Sequence, residues 1–374
     1  MMKESIQNIK HILYRLKALF FHQSLPALWI KSKIWNVPSP GTLEILFREE
    51  QNISHYFEWE ELDDSVSRNK LIDFTERYAR EPNIVFCAKG DIIIEPEFGL
   101  AIKKGRQFIP QSGTLSHIFL RPSLMKYLRH FYFNKRYTYY ESVIHCDGFA
   151  GMNLCHFVYD TVNPILFLLE RDMITKASSV LISEKIYMRP YFQYIISNSP
   201  LGELNWEVQK SNEWIKVKSF TKAFVSMEIF KSTYKIFQGI KNPHRKIFLN
   251  RRAYFQRNIK NIDRLLIILN RHGFEFVFAE DLSYEDQIKL FRDVKYFVGI
   301  HGAGLTNLLN SEIKSICVLE IFSESYVHAS FYRFLKILGI KYYDAMAGSK
   351  FDLNWNFTVD EKAFELRIQK LIAQ

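Results

Sequence analysis

The sequence predicts an α/β protein whose carboxy-terminal half is a parallel, Rossmann-like sheet. Two observations carry this. From Lys246 onward, short apolar runs alternate with amphipathic stretches of about 10 to 15 residues, the pattern of strands joined by crossover helices. Helix boundary signals fall where that alternation needs them: Gly273 as a stop, and Ser283 with Asp286 as a capping-box start. A chain of 374 residues is long enough for two or three domains with large buried cores.

Residues 1–36 differ from the rest. Lys3, Lys10, Arg15, Lys17, Lys31 and Lys33 face a single acid, Glu4, while Ile9, Ile12, Leu13, Leu16, Leu19 and Phe20 recur at helical spacing. That is a basic amphipathic helix, able to lie on an anionic membrane surface or to pack on the protein itself. Pro38-Ser39-Pro40-Gly41 breaks the chain. Residues 37–238 form the amino-terminal domain. Its first part is β-rich, with runs at 84–87, 92–94 and 100–102 punctuated by Gly90, Pro96, Gly99 and Gly105. Strand and helix signals alternate from Tyr137, where strands at 180–182 and 223–225 bracket a helix-like stretch near 191–197.

The carboxy-terminal domain, residues 239–345, reads strand 246–250, a helix from Asp263 to Gly273, strand 274–279, a helix through Ile288 and Phe291, then strand 296–300. The run from His301 to Asn307 follows and enters a helix. Strand 316–321, helix 325–338 and strand 340–343 complete the domain. In the tail, 346–374, Phe364, Leu366, Ile368 and Leu371 mark a helix over 360–373.

Composition excludes several classes. Fifteen Gly and eleven Pro, scattered, rule out collagen-like, low-complexity and wholly disordered chains. The apolar run at 18–30 is interrupted by His22, Gln23, Ser24 and Pro26, so no transmembrane helix is expected. No small-residue cleavage site follows the basic start, so no signal peptide is expected and the location reads as cytoplasmic. Cys87, Cys146, Cys155 and Cys317 are too dispersed for a disulfide framework or a zinc site. The excess of 50 Lys and Arg over 40 Asp and Glu suits a phosphorylated ligand, an anionic membrane or nucleic acid, but A/T-rich codon usage also enriches Lys.

In an open parallel sheet, ligands bind outside the carboxyl ends of the strands. Three polar groups fall there. Arg251 and Arg252 follow one strand, with Arg257 and Asn261 after them, and guanidinium forks grip phosphate oxygens bidentately. His301-Gly302-Ala303-Gly304-Leu305-Thr306-Asn307 follows another, where glycines let backbone N–H groups approach a diphosphate. Glu320, near the end of a third, could accept hydrogen bonds from ribose hydroxyls. Each also has an ordinary reading: solvated surface arginines, a tight turn, a paired strand-end acid. In the amino-terminal half, Gly151, Asn153, His156, Asp160 and Pro164 cluster, with His156 and Asp160 one helical turn apart. Such a pair suits general-base work, with either member taking the proton, or it is a core histidine held by a nearby aspartate.

The run Val298-Gly299-Ile300-His301-Gly302-Ala303-Gly304-Leu305-Thr306-Asn307 resembles the signature of glycosyltransferase family 61. Its context resembles the family too: Arg251-Arg252, Arg257, Asn261, Gly273-Phe274, Glu280, Leu282-Ser283 and Gln287 upstream, and Leu319-Glu320-Ile321-Phe322 downstream. Asn153-Leu154-Cys155-His156-Phe157-Val158-Tyr159-Asp160 is similar to the family's Asn-x-x-His-x-x-x-Asp segment, followed by Pro164. Asn310 departs from the pattern, standing where an apolar residue is usual.

The resemblance implies a GT-B architecture, two Rossmann-like domains facing across a cleft with the nucleotide on the carboxy-terminal one, and by analogy with such folds the helix in the 346–374 tail is expected to pack back on the amino-terminal domain. It implies an inverting, metal-independent transfer of a sugar from a nucleotide donor, UDP by family habit, to a glycan hydroxyl. Asp160 or His156 would be the base, and Asn153 would lie on the acceptor side. Arg251, Arg252, Arg257, Asn261 and Glu280, the 301–307 run and Glu320 would bind the donor. The absence of any Asp-x-Asp agrees with phosphate neutralised by arginines rather than by a metal, and no cofactor is expected. The expected setting is a bacterial-type enzyme of capsule or lipopolysaccharide assembly, peripheral on the inner face of the membrane, acting on lipid-linked acceptors. Rival readings are a pyruvyl-type transferase, an inactive scaffold, and a nucleic-acid binder. The last is disfavoured because no aromatic-interleaved basic pattern occurs.

Overall fold

The computed structural model describes residues 43–57, 64–77, 80–96, 99, 101–103, 107–109, 137–146, 152–237, 241–252 and 256–374. The basic segment 1–36 and Gly151 lie outside them. Two sheets organise the chain. The amino-terminal sheet has eight strands: β1 (Leu43–Asn52), β2 (Arg80–Ile94), β3 (Ala101–Lys103), β4 (Gln107–Ile109), β5 (Tyr137–His145), β6 (Ser179–Ser183), β7 (Asn205–Gln209) and β8 (Trp214–Phe224). Its order is β4-β3-β2-β8-β5-β6-β7, with β1 paired to β2. β8, β5, β6 and β7 run parallel, and β1 to β4 add an antiparallel wing. This wing is the β-rich region expected from the sequence, and it also carries helix α1 (Ser65–Arg77).

Among the described residues, the amino-terminal half also has helices α2 (Leu154–Phe157), α3 (Asn163–Glu170), α4 (Glu184–Tyr187), α5 (Pro190–Ser197) and α6 (Phe230–Ile236). A π-helical turn, Val158–Val162, joins α2 to α3.

The carboxy-terminal sheet is wholly parallel. Its strands are β9 (Arg245–Asn250), β10 (Glu275–Phe278), β11 (Val294–Ile300), β12 (Cys317–Ser323) and β13 (Tyr342–Gly348), in the order β10-β9-β11-β12-β13. Helices α7 (Ile262–Arg271), α8 (Tyr284–Arg292), α9 (Ser330–Ile337) and α10 (Glu361–Ile372) cover it. Successive strand residues point to opposite faces. Phe248, Val298, Leu319 and Ile321 pack on α7 and α10, whereas Ile247, Leu249, Phe297 and Val318 face α8 and α9. This second face continues without a break into the core of the amino-terminal half, through Phe157, Ile165, Ile182 and Phe192. The Phe230 and Phe334 rings stack at 5.0 Å across the junction, and Tyr284 meets Tyr191 and Tyr194 edge-on.

The run after β11 enters a helix as expected, a 3-10 helix over Ala303–Asn310. Two expectations change. Helix α9 starts at Ser330 rather than Ser325, because the Tyr326 amide donates to Ser323 O and the Ser325 amide to Ser323 Oγ, closing a turn. The terminal helix α10 does not return to the amino-terminal half. Its Phe364, Ile368 and Leu371 cover the α7 face of the parallel sheet, which would otherwise expose one apolar side, and Arg367 pairs with the buried Asp344 at 2.6 Å.

Candidate active site

In the carboxy-terminal sheet, the chain leaves β9 toward β10 on one side and returns through β11 on the other. The crevice between the carboxyl ends of β9 and β11 is therefore the topological switch point, where such sheets bind ligands. Arg251 directly follows β9 and His301 directly follows β11. A Cβ built on Gly302 would lie 3.4 Å from Arg251 Cζ, an ordinary contact, so the guanidinium lies directly over this residue and a side chain longer than alanine's would meet it. Gly302 has φ 165°, ordinary extended backbone. A Cβ on Gly304 would come within 2.7 Å of Leu249 Cδ2, so this glycine lets the turn close on β9.

Arg251 and Arg257 converge at this crevice. Burial, then the charge of Arg257, lowers Arg251 from the usual 12.5 to about 10. Burial lowers Arg257 as well. Among the described residues no carboxylate pairs with Arg257; its guanidinium stands over the Tyr326 ring at 5.3 Å. Its backbone has φ 70°, a left-handed conformation costly for a non-glycine residue, and its amide donates to Trp355 O at 2.9 Å. Two crowded, partly desolvated cations gain most from an anion between them.

Behind them lies a sealed relay. His301 Nδ1 is 2.5 Å from Glu320 Oε1, and Tyr343 Oη donates to Glu320 Oε2 at 2.5 Å. Glu320 is fully buried, which raises its carboxyl to about 8. Burial and the two arginines lower His301 to about 3. Both directions favour an uncharged pair in which Glu320 donates to Nδ1 and the imidazole carries its hydrogen on Nε2. With both oxygens engaged and no exposure, Glu320 does not reach a ribose. It supports His301.

A second histidine–carboxylate pair is open. His156 Nδ1 lies 3.0 Å from Asp160 Oδ2, with the side chains 41% and 21% exposed. Asn153 caps α2 by accepting from the Cys155 amide, so its side chain has a structural task. The widened π turn begins at Val158 and includes Asp160; such turns recur at functional sites. Cys155, beside His156, faces Thr306 of the motif, and burial raises its thiol to about 12. Tyr159 Oη donates to Ser330 O at 3.2 Å, fastening this segment to the start of α9. The segment carrying the open pair thus packs on the motif and on the start of α9, across the junction of the two halves.

Other residues expected at the donor site are engaged elsewhere. Arg252 is ion-paired with Asp281 and stacks on Phe278 at 4.0 Å. Asn261 ties α7 to the start of α10, donating to Val359 O at 2.8 Å and accepting from its amide at 3.1 Å. Asn307 is buried and donates to Gln287 Oε1 at 2.8 Å, anchoring the motif to α8. Leu305 and Thr306 are buried, and the Leu305 amide already donates to Gly302 O. The amides of Ala303 and Gly304, in the first turn, are the motif's available donors. Glu280 is exposed and reaches Arg251 only through its charge.

Two site residues escaped sequence reasoning, Tyr326 and His328, because they fell inside the helix expected over 325–338. The sheet-edge rule applied to β9 and β11 applies equally after β12, and would have found them. Tyr326 is 41% exposed. His328 Nδ1 lies 2.7 Å from Ser330 Oγ, and its ring stacks parallel to Tyr326 at 6.1 Å. Burial, with the charges of His301, Arg333 and His156, lowers His328 to about 4. Among the described residues no three His, Cys, Asp or Glu side chains gather in a metal-binding arrangement, and no helix is long and apolar enough to cross a membrane.

Residues 154–318 match the family model described as Glycosyltransferase 61. The match contains the open pair, both arginines and the motif, and ends before Glu320, Tyr326 and His328. No curated protein matches the chain.

Proposed function

We infer, for a chain whose residues 154–318 place it in glycosyltransferase family 61, an inverting transfer of a neutral sugar from a nucleoside-diphosphate donor to a hydroxyl of a surface glycan. The observation that carries this is the packing of the segment that bears the open His–Asp pair against the 301–307 motif, which flanks the crevice holding the crowded guanidinium pair. Inversion needs a base beneath the attacking oxygen and a positive clamp on the departing diphosphate, on opposite sides of the anomeric carbon.

His156, the more exposed member, would take the acceptor proton on Nε2 while Asp160 orients the ring through Nδ1. Arg251 and Arg257 would hold the diphosphate with the Ala303 and Gly304 amides, and their mutual repulsion falls as the anion's charge grows. His301, kept neutral by burial and the two arginines, would add an N–H donor without a third positive charge. A GT-B reading agrees with the two-sheet arrangement and puts the nucleotide on the carboxy-terminal sheet. UDP as carrier, a lipid-linked acceptor of capsule or lipopolysaccharide type, a cytoplasmic site, membrane contact through residues 1–36 and independence from metal belong to the same proposal.

The test is the anomeric configuration of the product by NMR after incubation with UDP-sugars and a polyprenyl-linked glycan acceptor, with and without a chelator. An α-linked donor should yield a β-linked product at an unchanged rate under chelation. A retained configuration, or loss of transfer with chelator, would overturn the mechanism.

A further inference from the structure

The transferred sugar must sit between the diphosphate clamp and the base, and the side chains that bridge this span come from the segment after β12. His328 lies within the fields of both His301, on the clamp side, and His156, on the base side. Its ring is held between Phe74 of α1, at 4.1 Å, and the parallel ring of Tyr326, at 6.1 Å. Lys70 of α1 donates to Glu324 O, so α1 fastens this segment from the amino-terminal half. Tyr326 is also edge-on to His301 at 5.5 Å and carries the Arg257 guanidinium on its face.

Two polar tips are left for a ligand. His328 Nδ1 is taken by Ser330 Oγ, whereas its Nε2 meets no protein hydrogen-bond partner among the described residues. The Tyr326 hydroxyl likewise has none, on a ring 41% exposed. Burial, with the neighbouring charges, keeps the His328 imidazole uncharged at neutral pH. An imidazole and a phenol, each able to donate or accept, match the hydroxyls of a neutral pyranose.

We propose that Tyr326 and His328 form the subsite that selects the donor's sugar, taking a neutral hydroxylated ring through the phenol Oη and the imidazole Nε2. This rests on the donor-site reading above, and the two can fail separately. His328 and Tyr326 would touch the sugar and leave the nucleotide to Arg251, Arg257 and the motif.

The experiment is calorimetric binding of UDP, UDP-glucose, UDP-galactose, UDP-N-acetylglucosamine, UDP-xylose and UDP-glucuronate to the full chain, to His328→Ala, to Tyr326→Phe and to Arg251→Ala. For wild type, one neutral sugar nucleotide should bind more tightly than UDP. His328→Ala and Tyr326→Phe should each erase roughly threefold to tenfold of that gain, the worth of one neutral hydrogen bond, while UDP binding stays unchanged. Arg251→Ala should weaken every ligand alike. The proposal is overturned if both substitutions weaken UDP and UDP-sugars equally, if neither changes the sugar increment, if no sugar adds affinity, or if glucuronate adds most. Failure of wild type to bind any of the six overturns the donor-site reading with it. Tyr326→Phe keeps the ring contacts with His301 and His328, so it separates recognition from loss of folding.

Discussion

Replacing Arg251 with methionine should stabilise the protein and disable it at once. The guanidinium is held at about 10 against an ordinary 12.5, first by burial and then by Arg257. At about 1.4 kcal/mol per pH unit, keeping the charge there costs the unliganded fold on the order of 3 kcal/mol. Methionine keeps most of the side chain's volume without the charge, so part of that cost returns, about 1–2 kcal/mol after the lost hydrogen bonding is discounted. In a protein of this size the melting temperature should rise by roughly 1–3 °C. Nucleotide binding moves the other way. Losing charge-assisted hydrogen bonds worth about 1.5–3 kcal/mol weakens a nucleoside diphosphate about 10- to 150-fold. At a ligand concentration of about 100 times the wild-type dissociation constant, wild type gains about 2.7 kcal/mol from binding, and a variant weakened 100-fold gains only about 0.4. Thermal melts of both proteins with and without UDP read both quantities. A variant that melts lower yet keeps the full UDP shift would refute the assignment of Arg251 to an anion site.

Stability should depend on pH in a way set by the buried histidines and Glu320. Between pH 6.5 and about 8 the native Glu320 keeps a proton that the unfolded carboxyl, at 4.5, has already released, so stability falls as pH rises, by up to about 1.4 kcal/mol per pH unit. Below 6.5 His301 and His328, lowered to about 3 and about 4, resist protons the unfolded chain accepts; Glu320 offsets one of them down to 4.5, and stability falls toward acid. Melting temperature against pH should therefore peak near 6.5, and Glu320→Gln should flatten the alkaline limb; an unchanged limb in that variant would contradict the neutral relay. Asn307→Ala should strand the half-buried Gln287 Oε1 and cost about 1–3 kcal/mol by chemical denaturation, with UDP affinity changed less than threefold. A large loss of affinity at unchanged stability would return Asn307 to the ligand.

The carboxy-terminal sheet was legible because its signals are local. The Ser283 cap, the stop at Gly273 and the apolar runs of β9, β11 and β12 each depend on a few neighbouring residues, and each appears within a few residues of its expected place. What escaped depends on packing between distant segments. Glu320 reads as a strand-end acid, yet its register beside Ala345 and the reach of His301 and Tyr343 make it a buried support. Arg251 and Arg252 are indistinguishable as a pair in sequence, but Arg252 meets Asp281, whereas Arg251 lies over Gly302. The terminal helix α10 was assigned to the wrong half because an apolar stripe does not say which surface lacks cover. His156 and Asp160 were found from spacing, and only burial separates their open pair from the sealed pair of His301 and Glu320.

The central claim, that the open pair serves transfer at the arginine crevice, is tested most directly by nucleoside-diphosphate release from UDP-sugars with a polyprenyl-linked glycan acceptor present, for wild type, His156→Ala and Asp160→Asn. The account predicts acceptor-dependent release by wild type and a loss of about 100- to 10,000-fold in both variants, with UDP binding intact. Wild-type release at undiminished rates in either variant, or release from none of the donors, would contradict it.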